Sequence, residues 1–169
     1  MNSSRFNKEI NLSLCIFILA LIVRILYIFE DFSNNPFSHY FFVDAREYNN
    51  LALGFLKGTW PGEKAFFRPP LYPIFIGAIY KLLGPNILSL KLFQAVLGSL
   101  SCVGIFLIAR IVTLSFLSSI IAALICTLSG TFIYFDGQPL SASIDVFLML
   151  SSVLSLLWAQ NNKRNYRKK

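Results

Sequence analysis

The side chains of this sequence best suited to do chemistry are three acids, Asp44, Glu47 and Asp136. Residues three apart on a helix are surface neighbours, so Asp44 and Glu47 can address one ligand. Carboxylates that converge at a surface can act as a general base or hold a divalent cation. Each acid also has a plainer role open to it. Asp44 can cap a helix by accepting a backbone N–H, and Asp136 opens the turn-forming run Asp136-Gly137-Gln138-Pro139. Two more charges, Arg24 and Asp145, fall inside apolar stretches. Counted inward from the ends of those stretches, both lie about 8–9 Å deep at the helical rise. An unpaired charge at that depth is costly, so Arg24 and Asp145 are expected to pair or to share a polar cavity. Arg24 alone could instead snorkel to the interface; the short Asp145 could not.

The elements that must position these residues are apolar helices. Apolar residues make up 56% of the chain, mean hydropathy is +0.63, and only 14% of residues are charged. A soluble domain carries about 25% charged residues, so a surface this poor in charge excludes one. Residues 11–29, 87–109, 114–135 and 140–160 each approach the ~20 residues needed to cross a ~30 Å hydrocarbon core. The fold class expected is all-α and integral to the membrane, with about four spans. The first stretch is too long for a signal-peptide core, contains Arg24, and is followed by bulky and acidic residues with no small-residue cleavage site. It is expected to stay as a span. Cys15, Cys102 and Cys126 all lie within spans, which suits packing better than a disulfide framework or a metal site.

A fifth apolar segment, 71–83, follows Pro69-Pro70 and stops at Gly84-Pro85-Asn86. At about 13 residues it suits an interfacial or re-entrant helix better than a span. The charges agree. With four spans and a cytoplasmic N-terminus, Arg5, Lys8, Arg110, Lys163, Arg164, Arg167, Lys168 and Lys169 lie in the cytoplasm against Glu9 alone. The outer side then balances Arg46, Lys57, Lys64, Arg68, Lys81 and Lys91 against Glu30, Asp31, Asp44, Glu47, Glu63 and Asp136. That is the positive-inside pattern. Five spans would put the basic tail outside. The net charge of +7 is therefore an orientation signal and no sign of nucleic-acid binding. The chain is expected in the cell membrane, with both termini cytoplasmic and 161–169 as a basic tail.

The outer segment 30–86 is too long for a turn. From Asp44 to Lys57, Tyr48, Leu51, Ala52, Phe55 and Leu56 recur at helical spacing. This helix and 71–83 are expected to lie at the outer leaflet, with Trp60, Phe66, Phe67, Tyr72 and Tyr80 at headgroup depth. His39, the sole histidine, has no nearby residues that would complete a metal set. No P-loop, dinucleotide fingerprint or HExxH occurs.

The order of short motifs is more specific than any one of them. A first span leads to Asp44-Ala45-Arg46-Glu47-Tyr48-Asn49-Asn50-Leu51-Ala52, then to Phe67-Arg68-Pro69-Pro70-Leu71-Tyr72-Pro73. Tyr80-Lys81-Leu82-Leu83-Gly84, a span with Gln94-Ala95-Val96-Leu97-Gly98, and Tyr134-Phe135-Asp136-Gly137-Gln138-Pro139-Leu140 follow. This resembles the N-terminal part of GT-C-type membrane glycosyltransferases. Within them it looks most like the dolichyl-phosphate-mannose-protein mannosyltransferase-like group and its bacterial relatives, including lipid A aminoarabinose transferases. The resemblance implies transfer of a sugar from a polyprenyl-phosphate donor to an acceptor outside the membrane. It implies Asp44 as catalytic base or acceptor-activating group, and Arg68 as a candidate ligand for the donor phosphate; Arg68 could instead serve as an interfacial anchor. Glu47 and Asp136 are expected to contact substrate.

The sequence also departs from that pattern. Ala45 follows Asp44 where relatives often carry a second acid, and Gln138 and Ala142 stand where relatives can carry one. A divalent cation therefore has no clear ligand set. Residues 1–160 match only the beginning of a family enzyme, so the chain is expected to be a truncated or incomplete member, inactive alone, or to be completed by further chain or a second chain. Two other classes fit the same helices. In a non-catalytic scaffold or partner subunit the acids would serve as caps; in a small transporter Arg24 and Asp145 would line the path.

Overall fold

The computed structural model describes residues 3–59 and 68–166, with side chains over 7–59 and 68–161. The expected interfacial roles of Trp60, Phe66 and Phe67, the charges of Glu63 and Lys64, and the basic side chains of Arg5 and 163–169 lie outside those residues. Among the described residues the chain is helical throughout, with no strand. In order it forms α1 (Ser3–Asn34), a 3₁₀ turn (Pro36–His39), α2 (Val43–Leu56), α3 (Leu71–Leu83), α4 (Ile87–Thr113), α5 (Phe116–Leu128), α6 (Gly130–Asp136) and α7 (Ala142–Tyr166).

Local chemistry sets most of these boundaries. The α4 helix starts where Asn86 accepts the Leu88 N–H at 2.8 Å. This is an N-cap, which satisfies one of the free donors of the first turn. The α5 helix starts where Ser115 accepts the Ser118 N–H. Gly84 ends α3 at φ +80°, and Gly58 turns the chain after α2 at φ +71°. A side chain would be strained in either conformation. Pro69-Pro70 sets the start of α3, since a proline biases the preceding residue away from the helix.

Three helices are long and apolar enough to cross a membrane: Asn7–Asn34, Ile87–Thr113 and Ala142–Asn161. A fourth crossing exists if α5 and α6 count as one. They meet at a 54° bend, where the sequence reads as one continuous span over 114–135. Ser129 takes an extended conformation and Gly130 follows, the kind of pair at which helices kink.

The α4 helix is central, with α1, α5 and α7 packed around it. One apolar core, Ile16, Ala20, Cys102, Phe106, Ala123 and Cys126, joins α1, α4 and α5. A second, built from Tyr48, Ala52, Tyr72, Ile76, Ile79 and Tyr80, joins α2 to α3 and meets the bundle at Leu90 and Ile144. Leu26, Leu117, Ile125, Met149 and Leu156 face outward, as helices bathed in lipid require. At the end of the bundle away from α2 and α3, Arg110 Nε donates to Glu9 Oε1 at 3.0 Å and ties α4 to α1.

Candidate functional site

Asp44 lies in the first turn of α2 and Glu47 follows it one turn later. Arg68, just before α3, bridges them. Its Nη2 donates to Asp44 Oδ1 at 2.5 Å and its Nε donates to Glu47 Oε2 at 2.9 Å. The guanidinium also sits 5.8 Å from the centre of the Tyr48 ring, within cation–π range. The three side chains keep 27% (Arg68), 44% (Asp44) and 49% (Glu47) of their surface exposed, so a ligand can reach all of them. The hydrogen bond donated to Glu47, reinforced by the charges of Asp44 and Glu47, holds Arg68 above the ordinary arginine pKa. Asp44 does not cap α2. The helix begins one residue earlier, with Phe42 at the cap position and no side-chain cap bond. Val43 stands at φ +43° immediately before the acid, an uncommon conformation for a β-branched residue.

Tertiary packing holds α2 and α3 together beneath this cluster. Tyr48 meets Tyr72 edge to face with ring centres 4.9 Å apart, a favoured aromatic geometry. Tyr80 Oη donates to Asn49 Oδ1 at 2.7 Å. Gly77 lets α2 come close: a Cβ there would stand 2.9 Å from Phe55 Cδ1. Burial raises the phenol pKa of Tyr80 to about 12, and burial is also the main cause that raises that of Tyr72. Both stay protonated donors at any physiological pH.

Buried polar side chains whose pairing the sequence does not signal fix this pair of helices to the bundle. Tyr72 Oη donates to Gln94 Oε1 at 3.1 Å, and Gln94 Nε2 donates to the carbonyls of Gln138 at 2.7 Å and Leu140 at 3.2 Å. One fully buried glutamine thus links α3, α4 and the turn before α7. Lys91, expected as an outer surface charge, is buried: its Nζ donates to Asp31 Oδ2 at 3.0 Å and to Ser38 Oγ at 2.5 Å. That pins the chain leaving α1 against α4. A cavity of about 290 Å³ opens between this pin, the start of α2 at Phe42 and Ala45, and the turn at Gln138–Leu140. The only sequence signal for either anchor is a polar residue within an apolar span.

The other predicted residues are placed differently from expectation. Arg24 is buried and its partner is Asp136: Nε donates to Oδ2 at 2.7 Å. Its Nη1 donates to the Ala20 carbonyl at 3.2 Å and its Nη2 contacts Cys102 Sγ at 3.5 Å. Asp145, the partner expected from matched depth, stands exposed in the first turn of α7. Asp136 is correspondingly turned into the bundle, paired with Arg24, and does not join Asp44 and Arg68. Among the described residues no group of three or more His, Cys, Asp and Glu side chains gathers as a metal set.

Residues 67–166 match the sequence model of the dolichyl-phosphate-mannose-protein mannosyltransferase family. The chain belongs to this family. The family match takes in Arg68, α3, Gln94, Asp136 and α7; Asp44 and Glu47 precede it. An uncharacterized protein of Aquifex aeolicus (strain VF5) is 32% identical over 121 residues, 69% of this chain and 24% of the relative. The mannosyltransferase-family chain described here thus spans about a quarter of that relative's length. No solved structure matches it.

Proposed function

We propose that this mannosyltransferase-family chain carries the donor-handling and proton-accepting part of a glycosyltransferase that works at the outer face of the cell membrane. The observation that carries this reading is the contact between Asp44 and Arg68. It puts a carboxylate and a fixed cation within one side chain of each other, at the solvent-facing end of a lipid-bathed bundle. A polyprenyl-phosphate sugar offers a phosphate for the cation and an anomeric carbon beside it. Arg68 holds the phosphate through charge-assisted hydrogen bonds and offsets the charge that grows on it as the bond to the sugar breaks. Asp44 takes the proton from an acceptor hydroxyl as its oxygen bonds to the anomeric carbon. Polyprenyl phosphate leaves with the bonding electron pair.

The orientation rests on charge. Lys8, Glu9 and Arg110 lie at the end of the bundle opposite Asp44, so the basic excess of Lys8 and Arg110 puts that end in the cytoplasm by the positive-inside rule.

Asp44→Asn keeps the shape of the side chain and removes the base. In native membranes supplied with radiolabelled polyprenyl-phosphate sugar, transfer is expected to fall by about 10²–10⁴-fold, the usual contribution of a general base. Unchanged product formation would sink the enzyme reading and leave the scaffold role.

A further inference from the structure

We infer that Glu47 is a gate on Arg68, an internal anion that occupies the phosphate-binding arginine until a lipid phosphate displaces it. This rests on the proposed role of Arg68 as phosphate ligand and adds a means of regulating the same site. Among the described residues, the two carboxylates and one guanidinium of this cluster carry a net charge of −1. An anionic phosphate approaching Arg68 therefore meets excess negative charge at the place where it must bind. A phosphate that takes the Nε and Nη2 donors now engaged by Glu47 and Asp44 displaces at least one of the two pairs.

Geometry indicates which pair yields. Glu47 is the more exposed carboxylate, at 49% against 44% for Asp44. It sits on a longer, freer side chain and meets the guanidinium at Nε. Asp44 is fixed by the first turn of α2 and, as the base, must stay beside the reacting centre. Ion pairs this exposed are weak enough to exchange. Glu47 meets the guanidinium through the Nε hydrogen bond alone, whereas a phosphate seated on Arg68 can accept two parallel N–H bonds. The exchange swaps Glu47 for phosphate on Arg68 and keeps Asp44 within reach. Without donor, Glu47 keeps Arg68 in its binding position over Tyr48. Glu47 is thus a positioning residue that competes with the donor.

The test uses the full chain in zwitterionic nanodiscs, with farnesyl phosphate as probe and inorganic phosphate as the lipid-free comparison, and binding followed by microscale thermophoresis. Glu47→Gln is expected to tighten farnesyl phosphate binding several-fold, with the gain shrinking as salt is raised. Arg68→Gln is expected to weaken it at least tenfold. Inorganic phosphate should follow the same order more weakly, because it lacks the isoprenoid tail. Near-UV circular dichroism checks that each half-exposed substitution leaves the fold intact. If Glu47→Gln weakens binding or leaves it unchanged while Arg68→Gln still weakens it, the gate is wrong and the phosphate site stands. If Arg68→Gln also has no effect, the phosphate site falls with it.

Discussion

Arg24 and Asp136 show how much a single contact can demand of its surroundings. Arg24 is 1% exposed and Asp136 is 4% exposed, 112 residues apart in sequence. Gly98 makes the meeting possible: a Cβ at that position would fall 1.9 Å from Asp136 Oδ2 and 2.7 Å from Arg24 Nε. Gly98→Ala must therefore push the two charges apart. Breaking a buried pair costs about 3–5 kcal/mol, and a detergent unfolding titration is expected to show a loss of that order. The double change Arg24→Met with Asp136→Leu removes both charges and is expected to come close to wild type, since apolar replacement of a whole buried pair is often neutral. A double variant as unstable as Gly98→Ala would refute the ion-pair explanation. The sequence signals that Arg24 needs a partner but points to the wrong one. The depth comparison with Asp145 assumes one straight helix over 114–135. The kink at Ser129-Gly130 instead carries Asp136 inward, a change of direction that hydropathy alone does not register.

At the scale of elements, periodicity and punctuation mark the helices closely. The helix at 71–83 has the bounds given by its prolines and Gly84, and α2 differs by one residue at either end from 44–57. What joins them to the bundle is hidden, because nothing local marks a hydrogen bond between residues 22 apart, as Tyr72 and Gln94 are. Gln94→Leu fits an apolar span better, yet it leaves the buried Tyr72 hydroxyl and two carbonyls without this partner. Each such orphaned group costs about 1–3 kcal/mol. Amide hydrogen exchange in 71–83 is expected to speed up while exchange in α1 stays slow; uniform acceleration of both would show general destabilisation instead of a lost anchor. Arg68 rides at the start of α3, so loosening this helix should also weaken phosphate binding.

For the whole molecule, membrane class follows from composition, and the order of short motifs points to the family that residues 67–166 match. The resemblance gives Asp44 and Arg68 separate roles, and their contact emerges only in the folded chain. The residues are 24 apart and no spacing rule connects them. Threading is open to a direct check. With native cysteines replaced by alanine, Asn86→Cys is expected to react with a membrane-impermeant maleimide added outside intact cells, and Leu114→Cys only after lysis. The reverse pattern would invert the topology and move Asp44 to the cytoplasmic face. The long separation between Arg24 and Asp136 also has a consequence for how the protein is made. Ribosomes add about 5–20 residues per second, so Arg24 is synthesised roughly 6–20 s before the acid that neutralises it. During that interval α1 is in the bilayer, or waiting at its side, with its arginine stretched toward the headgroups. The pair that holds Arg24 inside the bundle can therefore close only after α4, α5 and α6 have been made, when Asp136 arrives beside Gly98.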